Sequence, residues 1–149
     1  MTHERGAGAR HLARELLVKA LYQWQIAGHS VAEISAQFAA HEDFERSDRD
    51  FFGQLLAVTI EDVPALDVII ARQATRGVEQ LDAVARAILL LGLAELKFRD
   101  DVPSKVVINE AVELAKRYGP AESYKFVNAV LDKSSRELRG AAAKAGSEP

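Results

Sequence analysis

The chain contains no cysteine, so disulfide frameworks, thiolate zinc sites and cysteine nucleophiles are all excluded. A reducing cytoplasmic setting fits that composition. Positive charge is not in excess either: 19 Lys and Arg face 22 Asp and Glu, a formal net charge of −3. No global field therefore draws in a polyanion, and any contact with nucleic acid must rest on a local basic surface. No stretch reaches the roughly 20 apolar residues that a membrane helix needs, and Met1 to Gly8 lacks the apolar core of a secretory signal. A soluble, unprocessed protein with no membrane contact is the expectation. Alternating β-branched runs and Asn-Gly or Asp-Gly turn pairs are missing as well, which removes the usual signals of hairpins and sheets.

What is present is helical period. With 149 residues, 48% of them hydrophobic and 28% charged, the chain can bury a core without metal or disulfide staples. The expected class is all-α, a compact bundle of six to seven helices. Residues 1–9 read as a flexible basic arm, 10–138 as one domain and 139–149 as a small, polar, disordered tail. The first helix, from about Arg10 to Ala27, carries Leu12, Leu16, Ala20 and Trp24 on one stripe, and Gly28 ends it. Trp24 is expected in the core and Tyr22, off the stripe, at the surface. Ser30 with Glu33 has the form of a capping box, and Ser47 with Asp50 repeats it before Phe51, Phe52, Leu55 and Leu56. Pro64 predicts a kink or a restart. From Leu81 to Phe98 apolar residues run almost all the way round, which predicts the central helix. Val107, Ala111, Leu114 and Tyr118 form the next stripe, closed by Gly119 and Pro120, and a last helix over about Glu122 to Leu138 buries Val127, Val130 and Leu131.

Catalytic and metal signatures are not found. His3, His11, His29 and His41 lack ligand spacing, and phosphate-cradling glycine loops and nucleophile elbows do not occur. The acid pairs Asp100 with Asp101 and Glu110 with Glu113 read as solvated helix ends and faces. Neither a cofactor nor an enzymatic activity is expected.

Three segments have a different texture. In Ala9 to Gly28, Arg10 and Arg14 lie four apart, with Arg5 upstream and His11 adjacent. Such an arm neutralises phosphates, or is simply a solvated helix start; cations there oppose the helix dipole unless an anion is near. In Val102 to Gly119, Glu113, Lys116 and Arg117 make ordinary surface pairs and Asn109 reads as a satisfied polar group. In Pro120 to Arg139, Tyr124, Lys125 and Phe126 come together in the first turn of the last helix. Aromatic rings beside a cation suit an unstacked base lying over a ring while the ammonium meets phosphate, or Phe126 packs against the bundle.

These segments also carry a family resemblance. ALYQWQ (Ala20 to Gln25), DVPSKVVINEAVELAKRYG (Asp101 to Gly119) and KFVNAVLDK (Lys125 to Lys133) resemble, in order and separation, the signature blocks of the NusB family. The resemblance implies an all-helical protein that binds boxA RNA of ribosomal RNA operons together with NusE, a small-subunit ribosomal protein. It further implies that the complex joins the RNA polymerase antitermination complex and promotes processive elongation. It places Arg10, His11, Arg14, Glu122, Lys125 and Phe126 toward RNA, with Arg5 extending the arm, and Tyr22 toward NusE. Ala85 stands where relatives place an acidic NusE-holding residue, for which Asp82 is the substitute; Ala129 replaces a frequent glycine. Two other readings stay open: an RNA-recognition module like the N-terminal domain of ribosomal-RNA cytosine methyltransferases, and a homo-oligomeric helical scaffold, in the simplest case a homodimer.

Overall fold

Helical period becomes helix throughout. The computed structural model describes residues 2–74, 77 and 80–147, and the side chains of these except 2–5 and 141–147. The described residues form α1 (Thr2–Ala27), α2 (Val31–Ala39), a 3-10 turn (Phe44–Arg46), α3 (Arg49–Ala71), α4 (Ala83–Phe98), α5 (Ser104–Tyr118) and α6 (Ser123–Ser147), with no strand among them. The all-α expectation holds. The chain forms two compact units, residues 1–62 and 63–149, divided within α3 next to Pro64.

In the first unit α1 buries Ala13, Leu16, Leu17, Ala20 and Leu21; of the expected stripe Leu16 and Ala20 are buried, whereas Leu12 is half-buried. It starts at Thr2 rather than near Arg10: no proline lies between those positions, and the helix runs through Gly6 and Gly8. Gly28 ends it at φ +69°, donating its N–H to the Trp24 carbonyl at 3.0 Å. That left-handed backbone is why glycine stands there. Trp24 is half-buried instead of core, because the buried stripe ends at Leu21 and the last turn of α1 runs past it. The capping box of α2 forms as expected: Glu33 N–H donates to Ser30 Oγ at 3.1 Å and Ser30 N–H to Glu33 Oε1 at 2.9 Å.

The second expected box does not form. Ser47 is buried and its hydroxyl donates to the Phe44 carbonyl at 2.6 Å, closing the 3-10 turn. Asp48 takes the cap instead, accepting the Phe51 N–H at 3.1 Å on its carboxylate and the Phe52 N–H at 3.0 Å on its carbonyl. Below that cap the ring of Phe52 meets those of Phe38 and Phe44 at 5.8 and 5.6 Å between centroids, the latter edge-on.

In the second unit α3 continues through Pro64 to Ala71, so the expected restart is absent, and Val63, Leu66 and Ile70 are buried. Every residue of α4 from Ala87 to Leu96 is buried, as its all-round apolar pattern requires, and α4, α5 and α6 pack on one another. Close approach is built in at Gly92, where a Cβ would lie 2.8 Å from Leu131 Cδ1. Asp67 pairs with Arg86 through two hydrogen bonds of 3.1 and 2.6 Å.

The end of α4 is held from α6. Helix C-termini leave their last carbonyls without helical partners, and Arg139 answers this end with a fork of donors. It donates to the carbonyls of Glu95 (3.1 Å), Leu96 (2.9 Å), Arg99 (2.8 Å) and Val102 (2.6 Å) and to Ser104 Oγ (3.0 Å). The sequence reading assigns Arg139 to the tail; instead α6 continues past Leu138 because this arginine has a half-buried socket to fill.

Candidate nucleic-acid interface

The expected RNA-facing residues fall into two clusters, one in each unit. In the first, α1 carries Arg10, His11 and Arg14. The Arg10 guanidinium lies 4.8 Å from the Phe51 ring centroid and its Nε donates to Asp48 Oδ2 at 3.2 Å, with side-chain exposures of 32% and 28%. Phe51 is fixed because it follows the Asp48 cap into α3 and is buried. The ring therefore offers a rigid face to the cation.

Arg14 departs from the expectation. It is only 3% exposed, with its guanidinium 5.0 Å from the same Phe51 centroid. Lying one turn before the buried Leu17 and Val18, it occupies the inner side of α1 and supports the aromatic platform instead of meeting solvent. His11 is half-buried beside Arg10. The Arg5 side chain lies outside the described residues.

Farther along α1, Tyr22 is 42% exposed, as its position off the stripe predicts, and Ile26, one turn on, is 64% exposed. The two form an apolar pair at i, i+4 spacing on the surface. The sequence reading found Tyr22 but not Ile26, although the i, i+4 relation was available to it.

In the second unit the cluster sits where α5 hands over to α6. Gly119 ends α5 by donating to the Ala115 carbonyl at 2.9 Å, and a Cβ on it would stand 2.6 Å from Ser123 Oγ and 2.9 Å from the Ala115 carbonyl oxygen, so a side chain there would crowd the turn. Glu122 follows at φ +71°, an uncommon conformation for a side-chain-bearing residue. Lys125 reaches back to Glu122 with 2.6 Å between Nζ and Oε1, at side-chain exposures of 63% and 67%. So open an ion pair is weak in water, and its ammonium can be turned to a phosphate at small cost. Phe126 is half-buried, between the two readings the sequence allows.

Lys116 joins this group: its ammonium lies 5.1 Å from the Tyr124 ring centroid. The sequence reading treats Lys116 as a plain surface partner of Glu113. Only the turn at Gly119 brings it to Tyr124, and no local pattern signals that. The assembled corner holds cations beside aromatic rings, which suits bases stacked on rings and phosphates met by ammonium groups.

Asp82, expected toward a protein partner, caps α4: its carboxylate accepts the N–H groups of Val84 and Ala85 at 2.9 and 3.0 Å. Ala85 itself is buried. Among the described residues no group of three His, Asp or Glu is placed to hold a metal ion, and no helix is long and apolar enough to cross a membrane.

Comparison with known proteins gives a consistent answer. The chain is 50% identical over 135 residues to the transcription antitermination protein NusB of Alcanivorax borkumensis, covering 91% of this chain and 90% of that one. It is 45% identical over 131 residues to the protein of the same name from Photorhabdus laumondii, covering 88% and 95%. A solved T. maritima NusB superposes with a TM-score of 0.75 at 31% identity over 86% of this chain and 91% of that chain. A crystal structure of the antitermination factors NusB and NusE in complex with double-stranded RNA matches with a TM-score of 0.76 at 26% identity, over 88% and 98%. The NusB family model matches residues 11–136, nearly the whole folded span, and the chain belongs to the NusB family.

Proposed function

We infer that the protein is a transcription antitermination factor that binds boxA RNA together with NusE and does no bond-making chemistry. The observation that carries this reading is the likeness, over most of both chains, to a NusB solved with NusE and RNA. In this reading Arg10, resting on Phe51, and His11 meet the RNA backbone, Arg14 supports that platform, and Arg5 adds a further cation to the arm. Lys125 leaves Glu122 for a phosphate while Phe126 and Tyr124 offer rings to unpaired bases. Tyr22 is the NusE contact in the first unit, and Asp82, in the second, is a further residue assigned to NusE. The factor acts in the cytoplasm, within the elongating RNA polymerase complex.

With a formal net charge of −3, the chain alone binds RNA weakly, and affinity grows when NusE adds its own contacts. The test is a titration of single-stranded boxA RNA at fixed salt, with and without NusE. Binding tightened by NusE and loosened by salt is expected. Equal, negligible binding in both arms would overturn the reading; a single species of twice the chain mass that ignores both RNA and NusE would favour the scaffold.

A further inference from the structure

The ion pair of Arg10 with Asp48 ties the cation expected to meet RNA to an acid at a helix cap. We propose that Asp48 is an affinity-limiting residue for RNA: it holds the Arg10 guanidinium in place by a carboxylate whose charge opposes the incoming phosphate. This rests on the reading of Arg10 as an RNA contact. Asp48 has two jobs on two oxygens. Oδ1 accepts the Phe51 N–H at 3.1 Å and caps α3, while Oδ2 accepts Arg10 Nε at 3.2 Å. Both partners of the ion pair keep about a third of their side-chain surface in water, 32% for Arg10 and 28% for Asp48, so a phosphate can approach the guanidinium from solvent. With Arg14 buried, Arg10 is the more open of the two arginines at this platform.

A phosphate oxygen bonded to the outer edge of that guanidinium would lie roughly 6 Å from the Asp48 carboxylate, close enough for repulsion to weaken binding by about threefold to tenfold in a water-like dielectric. An arginine already neutralised by a carboxylate also releases fewer counterions when phosphate arrives, which flattens the salt dependence.

Asparagine separates the two jobs. In Asp48→Asn the amide keeps one oxygen for the Phe51 N–H and turns its NH2 toward Arg10, so the cap survives and the ion pair does not. The Phe51 ring still supports the guanidinium. The experiment uses the full chain with NusE and a single-stranded boxA RNA, read by fluorescence anisotropy across a salt series. Asp48→Asn should bind about threefold to tenfold more tightly at low salt, with a slope of log K against log salt steeper by up to about one unit. The advantage should shrink at high salt. Asp48→Ser, which also caps helices well, should show the same gain.

In an Arg10→Ala background the Asp48→Asn gain should vanish, an outcome that a merely structural role for Asp48 does not produce. Unchanged or weaker binding by Asp48→Asn at wild-type melting temperature overturns the proposal and leaves the functional reading standing, as does a gain that persists without Arg10. Absence of RNA binding by the wild-type complex overturns both.

Discussion

Replacing Arg139 by alanine removes five hydrogen bonds at once, four of them to backbone carbonyls at and beyond the end of α4. A hydrogen bond from a charged donor is worth about 1.5–3 kcal/mol when it is broken and its acceptor left buried. Here the sum is smaller, because the carbonyls of Glu95 and Arg99 keep the N–H groups of Arg99 and Val102, and water can enter the half-buried socket to meet the others. The favourable interaction of a cation with a helix C-terminus, about 0.3–1 kcal/mol and up to ~2 when partly buried, is lost as well. A total of about 2–4 kcal/mol follows, against the ±0.5 kcal/mol typical of an exposed tail position. For a chain of this length that corresponds to a fall in melting temperature of about 5–15 °C. Arg139→Lys keeps the charge but not the planar fork and should fall between the two. Urea unfolding followed by far-ultraviolet circular dichroism gives the measurement, with the slope unchanged and the midpoint lowered. If Arg139→Ala unfolds within about 0.5 kcal/mol of wild type, the socket is decorative and the tail reading of this residue was right.

Asp82→Ala should cost about 1 kcal/mol by uncapping α4, and Asp82→Asn should restore most of it; equal melting temperatures for all three proteins would remove the capping role. The Glu33 carboxyl is held below its ordinary value of 4.5, first by the backbone hydrogen bond from Ser30 and then by the Ser30 hydroxyl. Its folded form thus favours the anion, so the support it gives α2 is present above about pH 4.5 and lost as the pH falls through its lowered value. Glu33→Gln should flatten that acid limb in a pH series of unfolding curves. Lys125→Ala should weaken RNA binding several-fold at an unchanged melting temperature, since its ion pair lies in solvent; a change in stability without a change in binding would make it structural. Tyr22→Ala should weaken NusE binding, read by calorimetry, with the fold intact, because the ring is 42% exposed; undiminished binding would move the partner surface elsewhere.

Much of the fold could be read from spacing alone. Period placed Leu16 and Ala20 inside and picked out α4 as a buried helix, because a helix that is apolar on every side has no solvent face to offer. The Ser30 and Glu33 box was visible since both members lie within one turn. Two of the errors, at Arg139 and Arg14, come from contacts between residues far apart along the chain, and the one at Ser47 from a competing local turn. Ser47 looked like a cap until the 3-10 turn claimed its hydroxyl, and Arg139 looked like tail because its acceptors lie 35 to 44 positions away. Arg14 looked solvated because nothing near it in sequence announces the Phe51 ring. At the candidate interface, residue types were legible but their pairing was not: Lys116 meets Tyr124 only through the turn at Gly119.

The most direct check on RNA recognition is the dissociation constant of the chain with NusE for boxA RNA, set beside that for a scrambled RNA of equal length at the same salt. Base contacts through the Tyr124, Lys125 and Phe126 corner require boxA to bind at least about tenfold more tightly, a difference of ~1.4 kcal/mol. Equal affinities for the two RNAs would reduce the surface to non-specific phosphate attraction and contradict sequence-selective binding by this protein.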